Sequence, residues 1–149
     1  MNMVEQEAIY TTLMTDALKR GGKPQLEALM KSLALRDLFF LLTVVLKRQD
    51  VRHEWLFQRC MEVQAEPDGR LDLWSREHYK TTAISFALTI QDILRNPEVT
   101  VGVFSCTRPL AKRLLRQIKF EMEGNDTLKR LFPDVLYADP RKESPKWSE

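Results

Sequence analysis

One stretch gathers groups suited to holding phosphate: Ser75-Arg76-Glu77-His78-Tyr79-Lys80-Thr81-Thr82. A lysine followed by threonine, at a strand-to-helix junction, supplies a cation for the β- and γ-phosphates and a hydroxyl for Mg²⁺. Lys80 and Thr81 stand in those places. The helix start adds N–H groups without intrahelical partners and a partial positive charge. Arg76, four residues before Lys80, sets a second cation beside the loop, where its planar fork can grip phosphate oxygens. It is also the one catalytic candidate, since an arginine there can act as a cis arginine finger on the charge of phosphoryl transfer.

The generic phosphate-loop pattern G-x-x-x-x-G-K-[ST] is not met, because its glycines would fall at Trp74 and Tyr79. Glycine suits those places because the backbone approaches phosphate closely, often at positive φ. A bulky residue forced there costs about 1–2 kcal/mol. Judged by that pattern alone, Lys80 is equally an exposed lysine on an amphipathic helix.

The elements that must position this loop follow from periodicity. Val4, Ile9, Leu13, Ala17 and Leu18 predict a first helix that Gly21-Gly22 stops. A second helix is expected from Gln25 to Leu33, and Arg36-Asp37 separates it from Leu38 to Leu46. That run is apolar on nearly every face and belongs in a core. Val51 to Val63 reads as a further helix with an apolar stripe of Trp55, Leu56, Cys60 and Met61. Pro67-Asp68-Gly69 is a turn signal and divides a helical N-terminal subdomain, 1–66, from a second unit, 70–149.

In the second unit Leu71 to Ser75 alternates as a short strand, and Thr81 to Leu94 follows as a helix ended by Asn96-Pro97. Val99 to Phe104 is β-branched and apolar enough for a buried strand. Thr107 or Arg108 caps the next helix, in which Leu110, Leu114, Ile118 and Met122 step at four residues to face a sheet. Asp126 to Leu131 adds a short helix, and the polar tail from Ala138 to Pro145 is expected to be extended. The order strand, helix, strand, helix predicts an α/β fold: N-terminal helices followed by the first βαβα portion of a parallel sheet. Two strands make no stable parallel sheet, so the sheet is expected to be incomplete.

The loop resembles that of the large terminase subunits of tailed bacteriophages, ATPases with a deviant phosphate loop of the form Ser-Arg-x-x-Gly-Lys-Thr. Ser75 to Thr81 matches that form at every defined place except Tyr79. Phe86 to Leu94, Val101 to Arg108, Leu110-Ala111, and the tail from Ala138 to Asp139-Pro140 and Lys146-Trp147-Ser148-Glu149 are similar to a terminase subgroup. The resemblance covers Asp50 to Glu149 and makes 70–149 the first part of a P-loop NTPase core. It implies that Lys80 and Arg76 contact phosphate, that Thr81 binds Mg²⁺, and that backbone amides from His78 to Thr82 cradle the oxygens. Ser105 and Thr107 would sense nucleotide or touch DNA from the end of the second strand.

The implied cofactors are ATP and Mg²⁺. The implied partners are double-stranded DNA, the phage portal protein and the small terminase subunit, with a homo-oligomer compatible and no membrane involved. The implied location is the cytoplasm of a bacterial host. A terminase ATPase also needs a Walker-B acid, a catalytic glutamate and a nuclease domain, which come later in the family. This chain is therefore expected to be an N-terminal fragment that binds nucleotide but hydrolyses it poorly or not at all. Two other readings stay open: a fragment of another helicase-like P-loop translocase, and a non-catalytic prophage remnant.

Composition fits a globular chain and narrows little else. The 149 residues are 44% hydrophobic and 30% charged, and the formal net charge of +2 selects no polyanionic partner. Cys60 and Cys106 lie outside any metal-ligand spacing and read as reduced thiols of a soluble cytoplasmic protein. His53-Glu54 opens like a zinc-protease motif, but Phe57 takes the second histidine's place. Arg108, Lys112, Arg113, Arg116 and Lys119 form a basic helix face, balanced by Glu121 and Glu123, that reads as a solvated surface ahead of a DNA track. Trp55 and Trp74 have the chemistry to stack a base, although tryptophan beside an apolar stripe is expected in the core.

Overall fold

A computed structural model describes residues 1–69 and 71–143 of the chain. Helix α1, Met3–Arg36, opens with a reciprocal cap: the Asn2 side chain accepts the Glu5 N–H at 2.9 Å, and the Glu5 carboxylate accepts the Asn2 N–H at 2.9 Å. Gly21-Gly22 ends the first helical segment within this span, as expected: Gly22 leaves the helical region at φ 64°, ψ −154°, just before Pro24. Only glycine takes that conformation without a Cβ penalty, and the proline cannot supply the N–H that an unbroken helix needs. The two expected helices are thus both present, meeting at a kink within Met3–Arg36.

Asp37 makes the next break. Its backbone is extended, one carboxylate oxygen accepts the Phe40 N–H at 2.9 Å, and the other accepts from the Tyr10 hydroxyl. Gln64 bridges the same joint, donating to the Arg36 carbonyl and accepting from the Leu38 N–H, each at 2.8 Å. Behind it, α2 (Leu38–Phe40) runs into a π-helix, Leu41–Val45, and this apolar run forms the centre of the core. A 3₁₀ turn, Gln49–Val51, leads to α3, Glu54–Ala65, which buries Leu56, Phe57, Cys60 and Val63. Phe40 meets Tyr10, and Phe39 meets Phe57, edge-to-face at centroid distances of 5.0 and 5.2 Å. Each such fully buried side chain stabilises the fold by about 1.5–3 kcal/mol.

The α/β expectation is overturned: among the described residues there is no strand, and the architecture is helical. A strand exists only through a partner for its N–H and C=O groups. Leu71 to Ser75 and Val99 to Phe104 form no ladder with each other, and no described backbone hydrogen bond joins residues 100–105 to another segment. The apolar side chains that promised a buried strand face solvent, and Phe104 is 95% exposed.

The helix after the loop is present, as a π-helix, Thr81–Leu88, continuing into α4, Thr89–Arg95. Buried Gln91 ties it to α1, donating to the Ala34 carbonyl at 2.8 Å. Helix α5, Arg108–Gly124, buries Ile118 and Met122, whereas Leu110 stays exposed because no sheet lies beneath it. After α6, Asp126–Leu131, the described part of the expected extended tail instead carries α7, Pro140–Glu143. Residues 144–149, with the end of that tail and the Lys146-Trp147-Ser148-Glu149 stretch, lie outside the described residues. Among the described residues, no helix is long and apolar enough to cross a membrane.

Candidate phosphate-binding site

The loop from Trp74 to Lys80 joins the exposed 71–73 segment to the Thr81–Leu88 helix, and its backbone is unusual. Glu77 and Tyr79 both sit in the left-handed region, at φ 63° and 59°. Lys80 returns to the right-handed helical region at φ −54°. Alternation of this kind turns successive N–H groups toward one side and makes a concavity for an anion. Tyr79 therefore adopts, as a tyrosine, the conformation for which the generic pattern reserves glycine.

What holds Tyr79 there is packing. Its ring lies half-buried against the core and 5.7 Å from the His53 ring, and its carbonyl accepts the Ala83 N–H at 2.8 Å. The loop also closes on itself, because His78 Nδ1–H donates to the Arg76 carbonyl at 2.8 Å. Trp55, from the first turn of α3, sits edge-to-face with Trp74 at 5.1 Å and with His78 at 5.5 Å. One aromatic cluster thus braces both ends of the loop.

Trp74 and every residue from Ser75 to Thr82 line a single cavity of about 560 Å³. No side chain caps the helix that starts there. Arg76 and Lys80 are exposed, and among the described residues neither has an ion-pair partner. Two cations without an ion-pair partner among the described residues, and an uncapped helix start, surround one concavity that also carries the Glu77 carboxylate; together they can hold a multiply charged anion.

The remaining candidates divide. Ser105 lines a neighbouring cleft of about 600 Å³ that shares Thr81 and Thr82 with the loop cavity. Thr107 lines neither space and stands as the N-cap of α5. Arg113 reaches the cleft, whereas Lys112, Arg116 and Lys119 of the same basic face are engaged in other interactions.

Sequence reasoning missed Arg48, which also lines the cleft and is fixed by two bonds to Asp50, at 2.8 and 2.7 Å. That hydrogen-bonded pairing holds Asp50 below the usual carboxylate range and Arg48 above its ordinary value. Nothing in an Arg-x-Asp spacing signals this. Glu54, of the abandoned zinc reading, accepts from the Met3 N–H and the Gln58 amide. No group of three or more metal-ligating side chains occurs among the described residues. No protein-family model, curated protein or solved structure matches the chain.

Proposed function

We propose that the loop Ser75–Thr82 binds the triphosphate of ATP, and that the chain is the nucleotide-binding part of a terminase-like DNA-packaging motor. The observation that carries this reading is the left-handed Tyr79, which opens the loop at the start of a helix between Arg76 and Lys80, two cations without an ion-pair partner among the described residues. Lys80 contacts the β- and γ-phosphates, Arg76 grips the outer oxygens, and the amides of His78 to Thr82 fill the concavity. Mg²⁺ fits as an ion carried by the nucleotide: the exposed Thr81 hydroxyl donates one oxygen, and phosphate and water complete the shell. Its part is to neutralise charge on the phosphate oxygens. Ser105, across the shared cleft, is the residue placed to report on the bound phosphates. DNA, the portal protein, the small subunit and the bacterial cytoplasm belong to this proposal through the sequence resemblance alone.

A second reading, a binding module without turnover, is favoured by the unpaired and exposed stretch from Val99 to Phe104. Thermal unfolding tests what both readings share. Mg·ATP at a hundred times its Kd should stabilise the protein by about 2.7 kcal/mol. Lys80→Ala, folded as judged by circular dichroism, should lose most of that gain, and Arg76→Ala part of it. An unmoved wild-type transition, or an equal gain in Lys80→Ala, would sink the proposal. Phosphate release from the same samples, abolished by Lys80→Ala, separates the motor from the silent module.

A further inference from the structure

We infer that Trp74 is a base-stacking platform, so that the loop prefers a nucleoside triphosphate over a bare phosphate chain. The inference rests on the phosphate-loop reading and extends it to the other end of the ligand. Trp74 lines the same cavity as Lys80 and Thr81. The cavity, about 560 Å³, falls within the range that small-ligand sites occupy.

Trp74 is only half-buried. Its contact with Trp55 is edge-to-face, at 5.1 Å and 76°. A perpendicular pair of this kind leaves at least one face of the Trp74 indole uncovered by Trp55. Trp55 is itself held by His78, at 5.5 Å and 79°, so the platform is fixed to the phosphate loop through a short chain of rings. A ring pre-set in this way loses little freedom when a base stacks on it. Every base has a π-face, so stacking adds affinity without strong discrimination among bases.

The test compares Mg·ATP with Mg-bound inorganic tripolyphosphate by calorimetric titration of the full chain. The wild type should bind ATP about tenfold or more tightly than tripolyphosphate. Trp74→Ala should weaken ATP about tenfold more than it weakens tripolyphosphate, removing most of the preference, and Trp74→Phe should restore most of the difference. Equal wild-type affinities, or a Trp74→Ala variant that keeps the preference for ATP, would overturn the inference while leaving the phosphate loop intact. A parallel loss of both ligands in Trp74→Ala would also overturn it, showing that the ring only supports the loop. Failure of the wild type to bind either ligand removes the phosphate-loop reading and this inference with it.

Discussion

Two regions of the chain handle apolar side chains in opposite ways. Between Ala34 and Val63 most large apolar residues are sealed, Trp55 and Met61 excepted, and polar groups at the helix joints are bonded across elements. In the segments on either side of the loop helix the reverse holds: Leu71, Leu73, Val101, Phe104 and Leu110 stand exposed, while Phe86, Ile90 and Leu94 of the helix itself are sealed. The difference separates what folds the molecule from what it presents. The left-handed backbone at Glu77 and Tyr79 costs about 1–2 kcal/mol for each residue, a strain that the first region's core offsets through His53, Trp55 and the half-buried Tyr79 ring.

The largest expected effect tests that division directly. Phe40→Ala should lower unfolding stability by about 3–5 kcal/mol, because it leaves a cavity in the sealed region. Phe104→Ala should change it by less than about 0.5 kcal/mol, since that ring touches mainly water. Urea titration measures both. A large loss in Phe104→Ala would show that the exposed region is part of the folding unit, and the contrast would fail.

The sealed region was the more legible of the two. Leu38 to Leu46 announced its burial by being apolar on every face, and Arg36-Asp37 announced the break, because a helix cannot run through a residue that caps the next one. Gly21-Gly22 announced an end as well, because glycine alone enters the non-helical conformation at Gly22 without a Cβ penalty. Val99 to Phe104 misled: β-branched composition records a preference for a pleated, half-buried surface and cannot supply the strand that would cover it.

At the site, Arg76, Lys80 and Thr81 were legible by residue type alone. The left-handed backbone at Glu77 and Tyr79 was not, because neither is a residue that visits that region readily. The Trp55–Trp74 contact was hidden by sequence distance.

A middle-sized effect comes from groups sealed in the first region. Burial pushes the Cys60 thiol up to about 12 from an ordinary 9.0. Burial and the bond to Asp37 raise the Tyr10 phenol above its ordinary range. The unfolded chain therefore releases these protons at lower pH than the folded one. Stability is complete below about pH 9 and falls as pH rises toward 12, each group contributing at most about 1.4 kcal/mol per pH unit. Melting temperatures between pH 8 and 10.5 should trace the decline, and Cys60→Ala should make it shallower. An unchanged slope in that variant would remove Cys60 from the account.

The smallest effect bears most closely on how the two regions are joined. Glu77 and Tyr79 carry the same backbone strain but different side-chain environments: Glu77 is exposed, and Tyr79 packs on the core. Glu77→Gly should relieve its strain and raise stability by less than about 1 kcal/mol, since the freer unfolded glycine cancels part of the gain. Tyr79→Gly relieves equal strain but gives up the contacts with His53 and the core, so stability should fall by about 1–2 kcal/mol. Opposite signs in chemical denaturation would mean that the loop is anchored through one ring while its shape is set by the backbone. Two gains would mean that the tyrosine anchors nothing and that the loop keeps its form without the core. In the anchored case ATP should still stabilise Tyr79→Gly, because glycine reaches the same left-handed conformation without a Cβ, and only the baseline stability should drop.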